Sequence, residues 1–208
     1  MHVSWRQTGT VARPEWNPRP DAHPSQVHAR RILLDPDDAD AWADLAQVYA
    51  DQADGWATWT AQQVGYADAL GAALEDVPRG GVWVEFAAGS GESAPAIPAG
   101  ARLLRTELLE EVVRDAPPGL GPWVVADARA LPVPTACVDV LVGLNAVPAV
   151  AEARRVVRPG GSLVLAYSFG PHTPVYLSPD DVLEQLGPGW EGVAEHGPWG
   201  TWARFVRA

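Results

Sequence analysis

The stretch VEFAAGSGES, Val84 to Ser93, decides how the chain is read. A short apolar run ends in Glu85 and passes into a cluster of tiny residues: Ala87, Ala88, Gly89, Ser90 and Gly91. Small residues let a backbone turn sharply and let a ligand approach its amides closely. A strand that stops at such a turn stands where open α/β sheets bind ligands, in the crevice at the strand carboxyl ends. Gly89 and Gly91 therefore read either as a tight strand-to-helix turn or as a cofactor cradle. Glu85 reads as an acceptor for a cationic or hydroxyl-bearing group.

From Val82 onward short apolar runs recur: VWVEF, RLLRT, WVVA, VDVLVGL and SLVLAYSF, several of them apolar throughout. Such runs, separated by helical or loop segments, indicate a parallel sheet covered on both faces. The chain closes with WEGVAEHG and TWARFVRA, joined so tightly through PWG that they must pair antiparallel. Before the sheet, DPDDADAWADLAQVYADQ carries a helix start, with Asp35 as N-cap and Pro36 at the first position. Trp42, Leu45 and Tyr49 follow at spacings of three and four, on one face. That segment resembles the first helix of a tetratricopeptide repeat, but no second copy exists and an array needs several. A longer helix is expected over roughly Gly55 to Leu74. Residues 1–37, rich in Pro, His and Arg, read as an irregular arm in which SQVHARRILL could form a short helix; 38–78 read as a helical segment and 79–208 as the sheet domain.

Glu107 closes the second run, sixteen residues beyond Gly91, a distance at which an acid can grip the two hydroxyls of a ribose. It could instead cap the helix ELLEEVVRDA. Asp127, just past the third run and followed by Ala128, could accept from an exocyclic amine or simply form a turn. Together these describe a nucleoside pocket without the lysine of a phosphate-binding loop. In order and spacing, VEFAAGSG, Glu107 in RTELLEEV, Asp127 in ADARALPV, VDVLVGLNAV and RRVVRPGGSLVLAYS resemble the class I S-adenosylmethionine-dependent methyltransferases, over roughly residues 50–208. The resemblance implies a Rossmann-like three-layer α/β sandwich with a seven-stranded, mostly parallel sheet and an antiparallel C-terminal hairpin. It implies S-adenosylmethionine as methyl donor, held by Glu85, Ala87, Gly89, Gly91, Glu107, Leu108, Asp127 and Ala128. It also implies that helices of 38–78 lie over the donor as a lid, so that Tyr49, Trp56, Trp59 and Tyr66 serve either as core or as aromatic faces toward a sulfonium.

The chain departs from the family in three places. Ala87 stands at a usual glycine, Pro95 and Pro98 interrupt the helix expected after the glycine loop, and the connection from Asn145 to Arg158 is brief. A degenerate fold acting as a non-catalytic binding protein is therefore the alternative. Asn145, Tyr167 and His172 are the acceptor-side candidates, His172 as general base or as a solvent-facing loop residue. Asp139 and the Gly160–Gly161 pair read as structural.

Composition narrows the partners. All 15 basic residues are Arg, and the net charge of -11 opposes a polyanion, so a small molecule or a protein partner is expected rather than nucleic acid. Arg154, Arg155 and Arg158 read as a solvated face. The absence of lysine argues against lysine-dependent nicotinamide dehydrogenases. No apolar run reaches membrane-spanning length, no His, Cys, Asp and Glu cluster has metal-ligand spacing, and the lone Cys137 reads as an inert thiol in a reducing cytoplasm.

Overall fold

The computed structural model describes residues 2–6 and 23–208. Its centre is an eight-stranded sheet in the order β1-β7-β8-β6-β5-β2-β3-β4. The strands are β1 (Ser4–Arg6), β2 (Val82–Glu85), β3 (Arg102–Glu107), β4 (Trp123–Val125), β5 (Val138–Leu144), β6 (Val157–Tyr167), β7 (Trp190–Gly197) and β8 (Gly200–Arg207). Seven of them are those the sequence patterns predict. The eighth, β1, comes from the N-terminal arm and pairs in parallel with β7. A three-residue run has too little pattern to be recognised without the edge it joins. Asp180 holds it there, accepting from Val3 N at 2.7 Å and from Trp5 Nε1. Trp16, in the same arm, lies outside the described residues.

Alternation along the central strands explains the layers. In β6, Leu163, Leu165 and Tyr167 enter one apolar core, while Val164 and Ala166 enter another on the opposite face. The first core is covered by α1 (Pro24–Leu34), α2 (Ala39–Ala50), α6 (Val150–Val156) and α7 (Pro179–Leu186). The second is covered by α4 (Asp68–Leu74), through Ala69, Leu70, Ala73 and Leu74. β7 and β8 are antiparallel, paired from Trp190↔Arg207 to Gly197↔Gly200.

Local structure departs from the sequence expectation in several places. The helix start is Asp38, whose side chain accepts from Ala41 N at 2.9 Å; Asp35 instead ends α1, and Pro36 lies in the turn between the helices. The helix expected over Gly55–Leu74 is two helices, α3 (Trp56–Ala61) and α4, separated by a turn with Gly65 at φ 70°. The break frees α4 to lie on the sheet while α3 stands over the strand ends. Residues 86–101 contain turns and no helix, as Pro95 and Pro98 dictate. Downstream, α5 (Glu110–Arg114) is a short helix beside β3 and β4.

The arginines expected to form a solvated face do not all do so. Arg155 binds Glu152 and the carbonyls of Leu131 and Val133. Arg158 binds Asp139, which also accepts from Val82 N at 2.7 Å. Asp139 is thus a structural clasp between strand beginnings. The Arg-Pro-Gly-Gly stretch opens β6, with a register irregularity between Val138 and Val140 and Gly160 at φ 74°. A Cβ on Gly161 would stand 2.8 Å from the Val138 carbonyl.

Candidate donor and acceptor site

The parallel strands β2, β3, β4 and β5 end side by side, and their C-terminal residues meet around a cavity of about 250 Å³. Its walls include Glu85, Ala87, Gly89, Glu107, Leu108, Asp127, Ala128 and Asn145, with Tyr49, Trp56 and Tyr66 over the top. Eight of the ten predicted site residues are thus brought together. The other two are not. Gly91, at φ 101°, is a turn residue facing Leu120 and Trp123, and His172 is exposed in a 3-10 turn (Gly170–His172) that does not line the cavity. Tyr167 is also outside it, buried under the sheet against Tyr176 because the alternation of β6 turns it to the other side.

Glu85 is fully buried, and Arg105 Nε stands 3.1 Å from its Oε2, close enough for an ion pair but off the line of a hydrogen bond. Burial pushes its carboxyl up to about 7, against the pull of Ser93 and Arg105. Arg105 is itself held by the Leu120 carbonyl and stands over the Trp123 ring.

Glu107 caps the entry to the following helix and is also bonded to the glycine loop. Its Oε1 accepts from Leu108 N at 2.8 Å and Leu109 N at 3.1 Å, at the entry to α5, and its Oε2 accepts from Gly89 N at 2.9 Å. Burial raises its carboxyl, and these three N–H groups oppose the rise. A carboxylate has about four lone-pair sites, so one acceptor position remains for the cavity.

Asp127 likewise both forms its turn and faces the cavity. It accepts from Arg129 N at 2.8 Å and is gripped by the Arg129 guanidinium at 2.6–3.1 Å. Burial works to raise this carboxyl, but the arginine holds it below the usual range. Arg129 stands over the Trp42 ring of α2, 5.6 Å from its centroid, so the stripe that reads as helix core also roofs the site.

Asn145 sits at φ 51°, and its amide exchanges two bonds with Ser168, to Oγ at 2.7 Å and from N at 2.8 Å. Ser168 Oγ in turn binds the Tyr66 carbonyl, so the end of β5 is tied to the turn after α3. Sequence reasoning missed Glu92, which accepts from Ser90 N and Oγ and from Thr60 Oγ1 of α3 at 3.1 Å. Its only sequence signal is an acid immediately after the glycine loop. Trp56 Nε1 is buried with no acceptor, beside Gly89. Among the described residues no three of His, Cys, Asp and Glu gather as metal ligands would, and no helix is long and apolar enough to cross a membrane.

Comparison with known proteins bears on the fold. A family model described as "Methyltransferase domain" matches residues 84–165. No curated protein matches the sequence. Among solved structures, a Methanococcus maripaludis protein assigned as an S-adenosyl-L-methionine-dependent methyltransferase superposes with TM-score 0.57 at 14% identity, over 76% of this chain and 91% of that one. A SAM-dependent methyltransferase of Thermotoga maritima gives 0.57 at 14% identity, over 75% and 98%. A chain from the Haloferax volcanii complex between the Trm112 methyltransferase activator and a protein assigned as a methyltransferase gives 0.54 at 15%, over 73% and 96%. At these identities the likeness shows a shared fold.

Proposed function

We propose that this chain is a class I S-adenosylmethionine-dependent methyltransferase and carries a methyl group from that donor to a small-molecule oxygen, nitrogen or carbon nucleophile. The observation that carries the reading is the single cavity in which the glycine loop, Glu107 and Asp127 converge from three different strand ends.

The residues present fit the donor. Gly89 lies where a Cβ would stand 2.4 Å from Glu92 and 3.3 Å from Trp56 Nε1, so only glycine keeps the cradle open. Glu107 would take one ribose hydroxyl at its remaining acceptor position, Leu108 and Ala128 would face the base, and Asp127 would take its amine. Glu92 would receive the ammonium of the donor, and the buried Trp56 N–H, without a partner in the protein, its carboxylate. When bound, S-adenosylmethionine supplies an electrophilic methyl: the nucleophile bonds to carbon as the C–S bond breaks, the pair stays on sulfur, and the nucleophile's proton leaves to solvent. The chain's part is orientation and exclusion of water by the aromatic lid, which requires no dedicated base. In the cavity wall Glu92, Glu107 and Asp127 outnumber the one arginine, Arg129, an acid excess that disfavours phosphodiesters and supports a small acceptor rather than nucleic acid.

Calorimetric titration with S-adenosylmethionine and S-adenosylhomocysteine tests the reading. Saturable micromolar binding, about −8 kcal/mol, is expected, and Glu107→Ala should weaken it by at least about tenfold. A folded chain that binds neither compound would instead act as a non-catalytic binding protein on the same fold. One observation favours that second reading: the N–H groups of Ala88, Gly89, Ser90 and Gly91 are all bonded inside the protein, to Thr106 O, Glu107, Glu92 and Ala88 O.

A further inference from the structure

A second cavity, of about 330 Å³, adjoins the first and shares Tyr49, Trp56, Tyr66, Asn145 and Val175 with it. Its outer wall adds Trp59 and Phe169. These side chains form a continuous run of rings. Tyr49 meets Trp56 edge-on at 5.7 Å, Trp56 meets Trp59 at 5.5 Å, Trp59 meets Tyr66 edge-on at 6.1 Å, and Tyr66 meets Phe169 edge-on at 6.1 Å. Trp59 leaves 38% of its surface exposed. A large aromatic side chain is therefore left partly open on the cavity wall, with ring surface available to a ligand.

The charges of the second cavity are equally one-sided. Among the described residues no arginine lines it; its charged side chain is the Asp54 carboxylate at the rim. His23 also lines it, and burial lowers that imidazole, so it adds no positive charge at neutral pH. Aromatic faces present the negative side of their quadrupole, and next door lie Glu92 and Glu107. An anion entering here would lose its water and meet no counter-charge among the described residues.

We infer that this second cavity seats the methyl acceptor, and that the acceptor is a flat aromatic molecule carrying no negative charge. The acceptor role rests on the reading of the first cavity as the donor site; the preference for an uncharged ring rests on the second cavity alone. Its volume falls at the lower end of the roughly 300–1,000 Å³ of small-molecule sites, room for one or two fused rings. Asn145 and Tyr66 lie at the junction of the two cavities. Asn145 has both its amide atoms committed to Ser168, so the junction is a rigid stop against which a ring can register.

The test uses one ring with two charges and one control without a ring face. Tryptophol, indole-3-acetate and 2-cyclohexylethanol are titrated calorimetrically into the full chain, with S-adenosylhomocysteine titrated separately. Tryptophol should bind saturably, indole-3-acetate and 2-cyclohexylethanol about tenfold more weakly or worse. Trp59→Ala should lower tryptophol affinity by about fivefold or more while leaving S-adenosylhomocysteine affinity unchanged, which also shows that the variant is folded. Indole-3-acetate or 2-cyclohexylethanol binding as tightly as tryptophol overturns the inference. So does a chain that binds S-adenosylhomocysteine but no indole, or a Trp59→Ala variant with undiminished tryptophol binding. Selective tryptophol binding by a chain that ignores S-adenosylhomocysteine supports the ring preference and overturns the donor reading of the first cavity alone.

Discussion

Ala87 adopts φ 48°, in the left-handed region that costs a residue with a Cβ about 1–2 kcal/mol. Glycine would relieve that cost and lose about 0.4–1 kcal/mol through a freer unfolded chain. Ala87→Gly should therefore raise stability by up to about 1 kcal/mol, read from urea denaturation. The substitution the family resemblance flags as a departure is thus tolerated by the turn, at a modest cost. Glu85 makes a second residue-scale prediction. Its carboxyl is raised from 4.5 to about 7 in the fold, so on raising the pH the unfolded chain ionises first. Its contribution to stability is fully present below pH 4.5 and is lost as pH climbs to about 7, by at most about 3 kcal/mol. Unfolding free energies of the native chain minus those of Glu85→Gln, measured from pH 4 to 8, should fall across that window and level above it. Glu85 as a pocket acid was legible from its place after an apolar run. Its partner Arg105, on the neighbouring strand, was not, because parallel pairing of β2 with β3 is what sets Glu85 opposite Arg105.

At the scale of elements, a side-chain contact joins the lid to the glycine loop: Thr60 Oγ1 stands 3.1 Å from Glu92, and its one proton has that carboxylate and the α3 carbonyls of Trp56 and Ala57 within reach. A six-residue helix is too short to persist by itself, so this tether should govern its opening. Thr60→Val removes the bond to Glu92 at a cost of about 1–2 kcal/mol, and amide exchange over residues 56–61 should accelerate about tenfold while the central strands keep their protection. The arm behaves similarly. Asp180→Ala removes both bonds that hold Val3 and Trp5, and exchange at Ser4–Arg6 should rise without loss of the sheet. Neither tether was readable from periodicity. A pattern of apolar spacing reports which face of a helix is buried, but not where that helix ends when a glycine such as Gly65 can divide it.

Across the whole molecule, the site exists only when the sheet does. Glu85, Glu107, Asp127 and Asn145 are separated by about twenty residues each in sequence and meet only through the strand order β5-β2-β3-β4. Any ligand of the cavity must therefore bind the folded chain alone, and mass action predicts a stabilisation of about 2.7 kcal/mol at a hundredfold excess over Kd. Thermal unfolding with and without S-adenosylhomocysteine should show that upward shift, and Glu107→Ala should abolish most of it.

The sequence by itself determined the sheet strands from β2 onward, the broken segment after the glycine loop, the antiparallel close, and the acids that end β2 and β3. Each of these is written in local chemistry: runs of apolar residues, prolines that remove a helix donor, and acids at strand ends. Only the tertiary structure decided that β1 joins the sheet, that Gly91 and His172 stand outside the cavity, and that Glu92, Arg129 and Trp56 belong to it. Those choices depend on which surfaces meet across the fold. Side-chain direction at a strand end, and the reach of a lid across it, are settled by packing between elements far apart in the chain.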